Sequence, residues 1–190
     1  VTDALHIRPR RDTDIPVLAQ ILARQQAETE YPFEWPLPFP VERFIHRPGE
    51  LAAWVAELDG RVVGHVALHA VGTEDGSGGE LSRLWSSAHG VGVERLRAVG
   101  VLFADRRLAG RGIGSALLET ATRHALADGG APVLDVVPHH PAPVGLYRSR
   151  GWQEVGRCRT VWLPDHVDPL HVMILPLQHE ARGLEARRCG

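Results

Sequence analysis

Two residue types are missing from this chain. Lysine and asparagine do not occur in the 190 residues, so all 21 basic side chains are arginine. Both missing residues use A-rich codons, and a GC-rich coding bias accounts for their loss. The lack of lysine removes one large class of phosphate site, the Walker loop, which requires Lys followed by Ser or Thr. Cysteine is scarce: Cys158 falls in a predicted strand and Cys189 near the end. That leaves no disulfide framework and leads to the expectation of a cytoplasmic protein. No Cys/His spacing matches a zinc site, so no metal is expected. There is no apolar run long enough for a membrane span and no secretory signal, so no membrane partner is expected. The net charge is only −2 and the arginines are scattered, which argues against a nucleic-acid surface.

What remains is ordinary for a globular protein, with 44% hydrophobic and 23% charged residues. A chain of this size buries about 70% of its unfolded surface. One domain is expected over residues 1–177, with a polar tail over 178–190. Ala4 to Arg8 reads as an edge strand ended by Pro9. Asp12 or Thr13 precedes a helix from Asp14 to Glu28, with Val17, Leu18, Ile21 and Leu22 at helical spacing. Tyr31 to Pro40 alternates proline with aromatic residues and reads as a stiff extended loop. A short helix over Val41–His46 precedes a hairpin, Leu51–Leu58 and Arg61–His69, about the turn pair Asp59-Gly60. Gly72–Gly79 reads as a loop and Glu80–Ala88 as a helix. Val93–Phe103 is the expected central strand, and Gly112–Asp128 the main helix, closed by Gly129-Gly130. Later strands are expected at Val133–Val137, Trp152–Arg159 and His171–Leu177. Trp54, Trp85 and Trp162 read as packing residues.

The junction between central strand and main helix carries the chemistry. Ala98-Val99-Gly100-Val101-Leu102-Phe103 runs into Leu108-Ala109-Gly110-Arg111-Gly112-Ile113-Gly114-Ser115-Ala116-Leu117-Leu118. Glycines let the backbone approach a ligand closely. The first amides of a helix have no partner within it, and the dipole adds about half a positive charge there, so the junction suits a diphosphate. It is not a Walker loop, because Gly114 is followed by Ser115 and Ala116. Nor is it a good dinucleotide fingerprint, because the third glycine position holds Leu117 and no repeated βαβ unit surrounds it.

Gly110-Arg111-Gly112-Ile113-Gly114 after an apolar strand resembles the acyl-CoA loop of the GNAT superfamily of N-acyltransferases, Gln/Arg-x-x-Gly-x-Gly/Ala. Aligned on Gly112 and Gly114, the Gln/Arg position holds Ala109, a departure; a register on Arg107, Gly110 and Gly112 matches formally but places the leucine pair less well. Gly145-Leu146-Tyr147-Arg148-Ser149-Arg150-Gly151-Trp152 is similar to that family's Leu-Tyr-x-x-x-Gly-Phe ending, at the right separation. Where the family often has Asn seven residues before the tyrosine, and Ala four before, this chain has His140 and Pro143.

The resemblance implies an α/β (α+β) fold with a mixed, mostly antiparallel central sheet flanked by helices, its central strands splayed. It implies transfer of an acyl group, most simply acetyl from acetyl-CoA, to the primary amine of a small-molecule or peptide acceptor, by direct attack without a covalent acyl-enzyme. In that pattern Val101, Leu102 and Phe103 would pair with the pantetheine arm. Ala109, Gly110, Arg111, Gly112, Ile113, Gly114 and Ser115 would hold the diphosphate, and His140 would stand with this cofactor-binding set. Arg106, Arg107 and Arg111 are candidates to meet phosphates. Tyr147 is the candidate hydrogen-bond donor to the departing thiolate. An alkyl ammonium costs about 4.6 kcal/mol to deprotonate at pH 7, so a base helps; Glu94 is the first candidate, with His139 and His140 as alternatives. Glu34 and Trp35, in the proline-aromatic loop with Glu28 and Glu30, are the candidate acceptor contacts, since aromatic walls with carboxylates suit a cationic amine. Members often pair, so a homodimer is an expectation. A catalytically silent acyl-CoA sensor shares the loop and is the competing reading.

Overall fold

A computed structural model describes residues 4–72, 77, 79–138 and 141–177. The expected tail and both candidate bases His139 and His140 lie outside the described residues. Seven strands form one sheet: β1 (Leu5–Pro9), β2 (Glu50–Leu58), β3 (Arg61–Ala70), β4 (Leu96–Ala104), β5 (Ala131–Val136), β6 (Gln153–Cys158) and β7 (Leu170–Ile174). Their spatial order is β1-β2-β3-β4-β5-β7-β6. Every neighbouring pair is antiparallel except β4 with β5. The helices are α1 (Ile15–Thr29), α2 (Val41–Ile45), α3 (Glu80–His89), α4 (Ile113–Ala127) and α5 (Pro141–Ser149).

The β2–β3 hairpin turns where expected, with Asp59 (φ 50°) and Gly60 (φ 72°) both left-handed, as a two-residue turn matching strand twist requires. α1 begins after a short 3₁₀ turn, Asp12–Asp14, rather than from a side-chain cap. Asp14 folds back instead, accepting from the Arg11 amide at 2.7 Å and from Arg8 at 2.7 and 2.9 Å. The Arg8 guanidinium therefore holds the Asp14 carboxyl below its usual range.

Two apolar layers cover the sheet. On one face α4 buries Ile113, Leu117, Leu118, Ala121 and Ala125 against Ala56, Val66, Leu68, Val99, Leu134 and Met173. On the other, α1 and α2 bury Leu18, Leu22, Phe44 and Ile45 against Val55, Val101 and Phe103. α3 continues that second layer, with Leu81 and Trp85 on Leu96, Val133 and Val172. The layers assign the residues of β4 in a broken alternation. Val99 faces α4, yet Val101 faces α1 and Leu102 returns to α4. A bulge produces the break: two residues, Val101 and Leu102, oppose the single Val66 of β3. One extra residue flips every following side chain.

Candidate active site

The parallel pairing of β4 with β5 is short. It joins Leu96 to Ala131, Arg97 to Pro132 and Ala98 to Val133, then stops. Beyond Ala98, β4 stays paired only with β3, and beyond Val133, β5 stays paired only with β7. The two strands diverge toward their C-terminal ends and leave a gap in mid-sheet, with backbone groups on its rims that a ligand's amides would satisfy.

The bulge sits on the rim of that gap. Val101 has φ 50°, a left-handed conformation that costs a β-branched residue about 1–3 kcal/mol. A buried chain of polar groups holds it. The ring of His65, which is 0% exposed, bonds through Nδ1 to the Val101 carbonyl at 2.9 Å. A carbonyl only accepts, so Nδ1 carries the proton and Nε2 accepts from Arg10 at 3.1 Å. Arg10 in turn is clamped by both Glu50 oxygens, at 2.6 and 2.9 Å. Burial pushes the His65 pKa down to about 3, which keeps this tautomer neutral. His65 thus takes one of the two lone pairs of the Val101 carbonyl.

The glycine loop closes the far end of the gap. A 3₁₀ turn, Arg106–Leu108, starts with Asp105 accepting from the Arg107 amide at 3.1 Å. The Asp105 carboxylate also takes the side chains of Arg107 and Arg24, at 2.9 and 2.8 Å, and these hold its pKa below the usual range, Arg107 foremost. The Arg106 amide donates to Gln25 of α1 at 3.0 Å. The loop is thus fixed to α1, and Arg107 is engaged by its own turn rather than held ready for a phosphate. Gly110 (φ 84°) and Gly112 (φ 74°) are both left-handed, and a Cβ on either would meet nothing within 4 Å. The helix ladder of α4 opens with the Ala116 amide on the Gly112 carbonyl at 3.0 Å. The amides of Ile113, Gly114 and Ser115 therefore point ahead of the helix, as an anion site needs. Ala109, Gly110, Arg111 and Gly112 are exposed beside them. Ser115 also borders a cavity of about 310 Å³ between α4, Arg150, Trp152 and Leu175.

Tyr147, on α5, stands half-buried against the α4 layer, edge-on to Trp152 with ring centroids 6.1 Å apart. Burial raises its pKa above the ordinary phenol value, and the charges of Tyr31 and Asp135 add to the rise. Tyr31 lies on the opposite layer, 5.7 Å from the Phe44 ring and 6.4 Å from Phe103. Its own pKa is pushed up to about 12 by burial, opposed by Arg47 and helped by Asp135. Asp135 of β5 thus acts electrostatically on both tyrosines.

One expected site residue stands elsewhere. Glu94 is not on the central strand: residues Val93–Arg95 form a 3₁₀ turn, closed by Arg95 N–H to Gly92 O at 3.1 Å. Its exposed side chain sits where β4 and β5 are still paired. Leu96 to Val101 alone spans about 16 Å at ~3.3 Å per residue, so Glu94 does not reach the bulge. Glu34 and Trp35 are both exposed; the inward residues of the proline-aromatic loop are Tyr31, Pro32, Phe33 and Leu37, with Phe33 packed on Leu163, Val167 and Leu170. Reading from sequence also passed over His65, His69, Arg47 and Asp135. The first two carried a signal: His65, Ala67 and His69 share one face of β3 at period two. Among the described residues no cluster of ligating side chains forms a metal site. No helix among them is long and apolar enough to cross a membrane.

A sheet split between two parallel strands, joined by a glycine loop at a helix N-terminus, defines an acyltransferase architecture. The chain belongs to the acetyltransferase (GNAT) family, whose model matches residues 19–152. No curated protein sequence matches it. Similar solved structures include yncA of Salmonella typhimurium with its cofactor acetyl-CoA, at 18% identity and TM-score 0.67, covering 94% of this chain and 97% of that one. NAA60 of Arabidopsis thaliana in complex with acetyl-CoA is 18% identical with TM-score 0.66, covering 92% and 100%. The ribosomal-protein-S18-alanine N-acetyltransferase of Escherichia coli is 17% identical with TM-score 0.63, covering 94% and 98%. At these identities the likeness is one of fold.

Proposed function

We propose that this protein transfers an acetyl group from acetyl-CoA to a primary amine by direct attack. The observation that carries the reading is the coincidence of the β4–β5 gap with the open loop of Gly110 and Gly112 at the start of α4. The residues fit the coenzyme: two glycines with free space above them, forward-pointing amides for a diphosphate, and an unpaired strand rim for the amides of the arm. When bound, acetyl-CoA supplies an acyl group activated as a thioester. The chain's own residues do the rest. The amides of Ile113, Gly114 and Ser115 hold the diphosphate. The rim of β4 aligns the arm, with Val101 kept in its bulge by His65.

Tyr147 stays protonated, because burial raises its pKa, and its hydroxyl donates to the sulfur as charge develops there. A hydrogen bond that strengthens with charge is worth more than full proton transfer, which is uphill for a phenol facing a thiol of pKa about 8.5. The amine enters from the side of Tyr31 and Phe33. Burial there disfavours its ammonium form, which lowers the cost of presenting a neutral nucleophile. Glu94, in the 3₁₀ turn ahead of β4, is too far from the bulge to take the proton.

Thiol release from acetyl-CoA with a panel of amines tests it. Amine-dependent release that follows enzyme concentration is the expected result. Thermal stabilisation by CoA with no release on any amine would make the protein an acyl-CoA-binding module instead.

A further inference from the structure

The acceptor side of the gap holds a cation without a counter-charge. Arg47 follows α2; its Nε donates to the Phe44 carbonyl at 2.9 Å, and its Cζ lies 4.1 Å from the centroid of the Phe44 ring. Arg8, Arg10, Arg24 and Arg107 all hold carboxylates, but among the described residues no carboxylate pairs with Arg47. Because Nε is occupied, the two terminal nitrogens of the fork remain. The Phe44 ring on which Arg47 stacks is edge-on to Tyr31, which leans on Phe103 of the gap.

His69 supplies the second half. It is paired with Ala98 across β3–β4, and Ala98 with Val133 is the last pair before β4 and β5 part. The ring therefore stands at the vertex of the gap. Its Nε2 is buried with no hydrogen-bond partner. With the proton on Nδ1, Nε2 presents a lone pair. Gly100 lies against the Nδ1–Cε1 edge of the ring, where a Cβ would make an ordinary contact at 3.5 Å. Burial, and next the charge of Arg47, lower the His69 pKa to about 4, so the ring is a neutral acceptor at physiological pH.

We infer that Arg47 and His69 form the acceptor subsite, and that the acceptor is a small primary amine bearing a carboxylate, an amino acid rather than a polyamine or a protein amine. The carboxylate pairs with the free end of the Arg47 fork, and one N–H of the amine donates to His69 Nε2. An unpaired, half-buried guanidinium favours an anion and disfavours a polycation, and its planar fork matches a carboxylate. The inference rests on the acetyl-transfer reading above.

The test compares the twenty common amino acids with their amides, at saturating acetyl-CoA, by thiol release. At least one amino acid is expected to exceed its own amide by ~100-fold in kcat/KM, as expected when an ionic partner is deleted. Arg47→Gln is expected to erase that ratio by lowering the amino acid alone, and Arg47→Lys to restore part of it. His69→Phe is expected to raise KM for the amino acid and leave the acetyl-CoA Kd unchanged. A readout free of turnover is thermal shift: with CoA present, the N-acetylated amino acid should raise the Tm of the wild type and not of Arg47→Gln. Amides or polyamines accepted as well as amino acids, or a ratio that survives Arg47→Gln, would overturn the subsite and leave acetyl transfer standing. CoA binding without turnover on any amine would overturn both.

Discussion

His65 donates its Nδ1 proton to the carbonyl of Val101 at 2.9 Å, tying a fully buried ring on β3 to the one left-handed residue of the central strand. The bond explains how a β-branched residue is kept at φ 50°, and it makes the gap's rim depend on a network that runs through Arg10 to Glu50. Replacing His65 by Phe keeps a ring but takes the side-chain donor from the Val101 carbonyl, while Arg10 keeps Ile45 and Glu50 as acceptors. An unsatisfied buried group costs about 1–3 kcal/mol. Denaturant unfolding should show that loss, and kcat/KM for acetyl-CoA should fall by about 10- to 100-fold as the rim shifts. His65→Asn, whose side-chain amide can still donate to the carbonyl, should recover more of kcat than of stability. Equal kcat in both variants would separate the bulge from catalysis.

The same burial predicts how stability depends on pH. His65 and His69 have folded pKa values lowered to about 3 and about 4, while in the unfolded chain a histidine titrates near 6.5. Below that point the unfolded state binds protons that the native state refuses, so stability falls as pH drops. Above about pH 6.5 both contributions are fully present. Between there and pH 4 each histidine should remove about 1 kcal/mol per pH unit. Urea titrations from pH 7.5 to 4.5 on the wild type and His69→Phe measure it; the variant should show the shallower slope.

Local signals made most of the elements legible in the sequence. The Asp59-Gly60 pair fixed the hairpin, and the glycines at 110, 112 and 129 bracketed the main helix to within a residue or two. The splay could be expected only through the family resemblance, since no pattern in Val93–Phe103 shows that pairing stops after Ala98. The bulge was hidden for a related reason: Val101 is an unfavourable residue for a left-handed position, and only the tertiary bond from His65 keeps it there. Glu94 looked like a strand residue because the apolar run begins next to it, but the turn from Gly92 ends first. Phe44 looks like a core residue of a short helix and Arg47 like a surface residue just after it, and their meaning depends on what α2 packs against.

Tyr147→Phe should lower kcat by about 100-fold, the usual effect of deleting one donor to developing charge. The Kd for acetyl-CoA, measured by titration calorimetry, should change less than about two-fold, because the aromatic ring still packs on Trp152. Burial raises the Tyr147 pKa, so the wild-type kcat profile should show no loss from phenol ionisation below pH 10. Near-normal turnover in the variant would remove the residue from the chemistry.

Gly112 separates a strain effect from an electrostatic one. Its φ is 74° with nothing within 4 Å of a built Cβ, so Gly112→Ala adds only the left-handed cost of about 1–2 kcal/mol to folding. Gly112→Asp adds a negative charge where the diphosphate is proposed to lie. It should weaken acetyl-CoA binding by on the order of 100-fold, as like-charge juxtaposition does, with a Tm close to that of the alanine variant. Unchanged affinity in the aspartate variant would place the phosphates somewhere else.

Gly64 sets the distance between β3 and the helix that carries the loop. A Cβ there would lie 2.9 Å from Leu117 Cδ1, 3.0 Å from the Phe103 carbonyl and 3.1 Å from Ile113 Cγ2. The leucine can turn aside, but the carbonyl belongs to β4 and Ile113 begins α4, so one of those two must move. Gly64→Ala should therefore destabilise by about 1–3 kcal/mol, the range for overpacking. Its functional signature should differ from that of the loop variants. Displacing α4 shifts the amides of Ile113 and Gly114 together, so the Kd for acetyl-CoA should rise at a temperature where the variant is fully folded. A destabilised variant with native affinity would show that α4 is free to slide on β3 without carrying its N-terminus along.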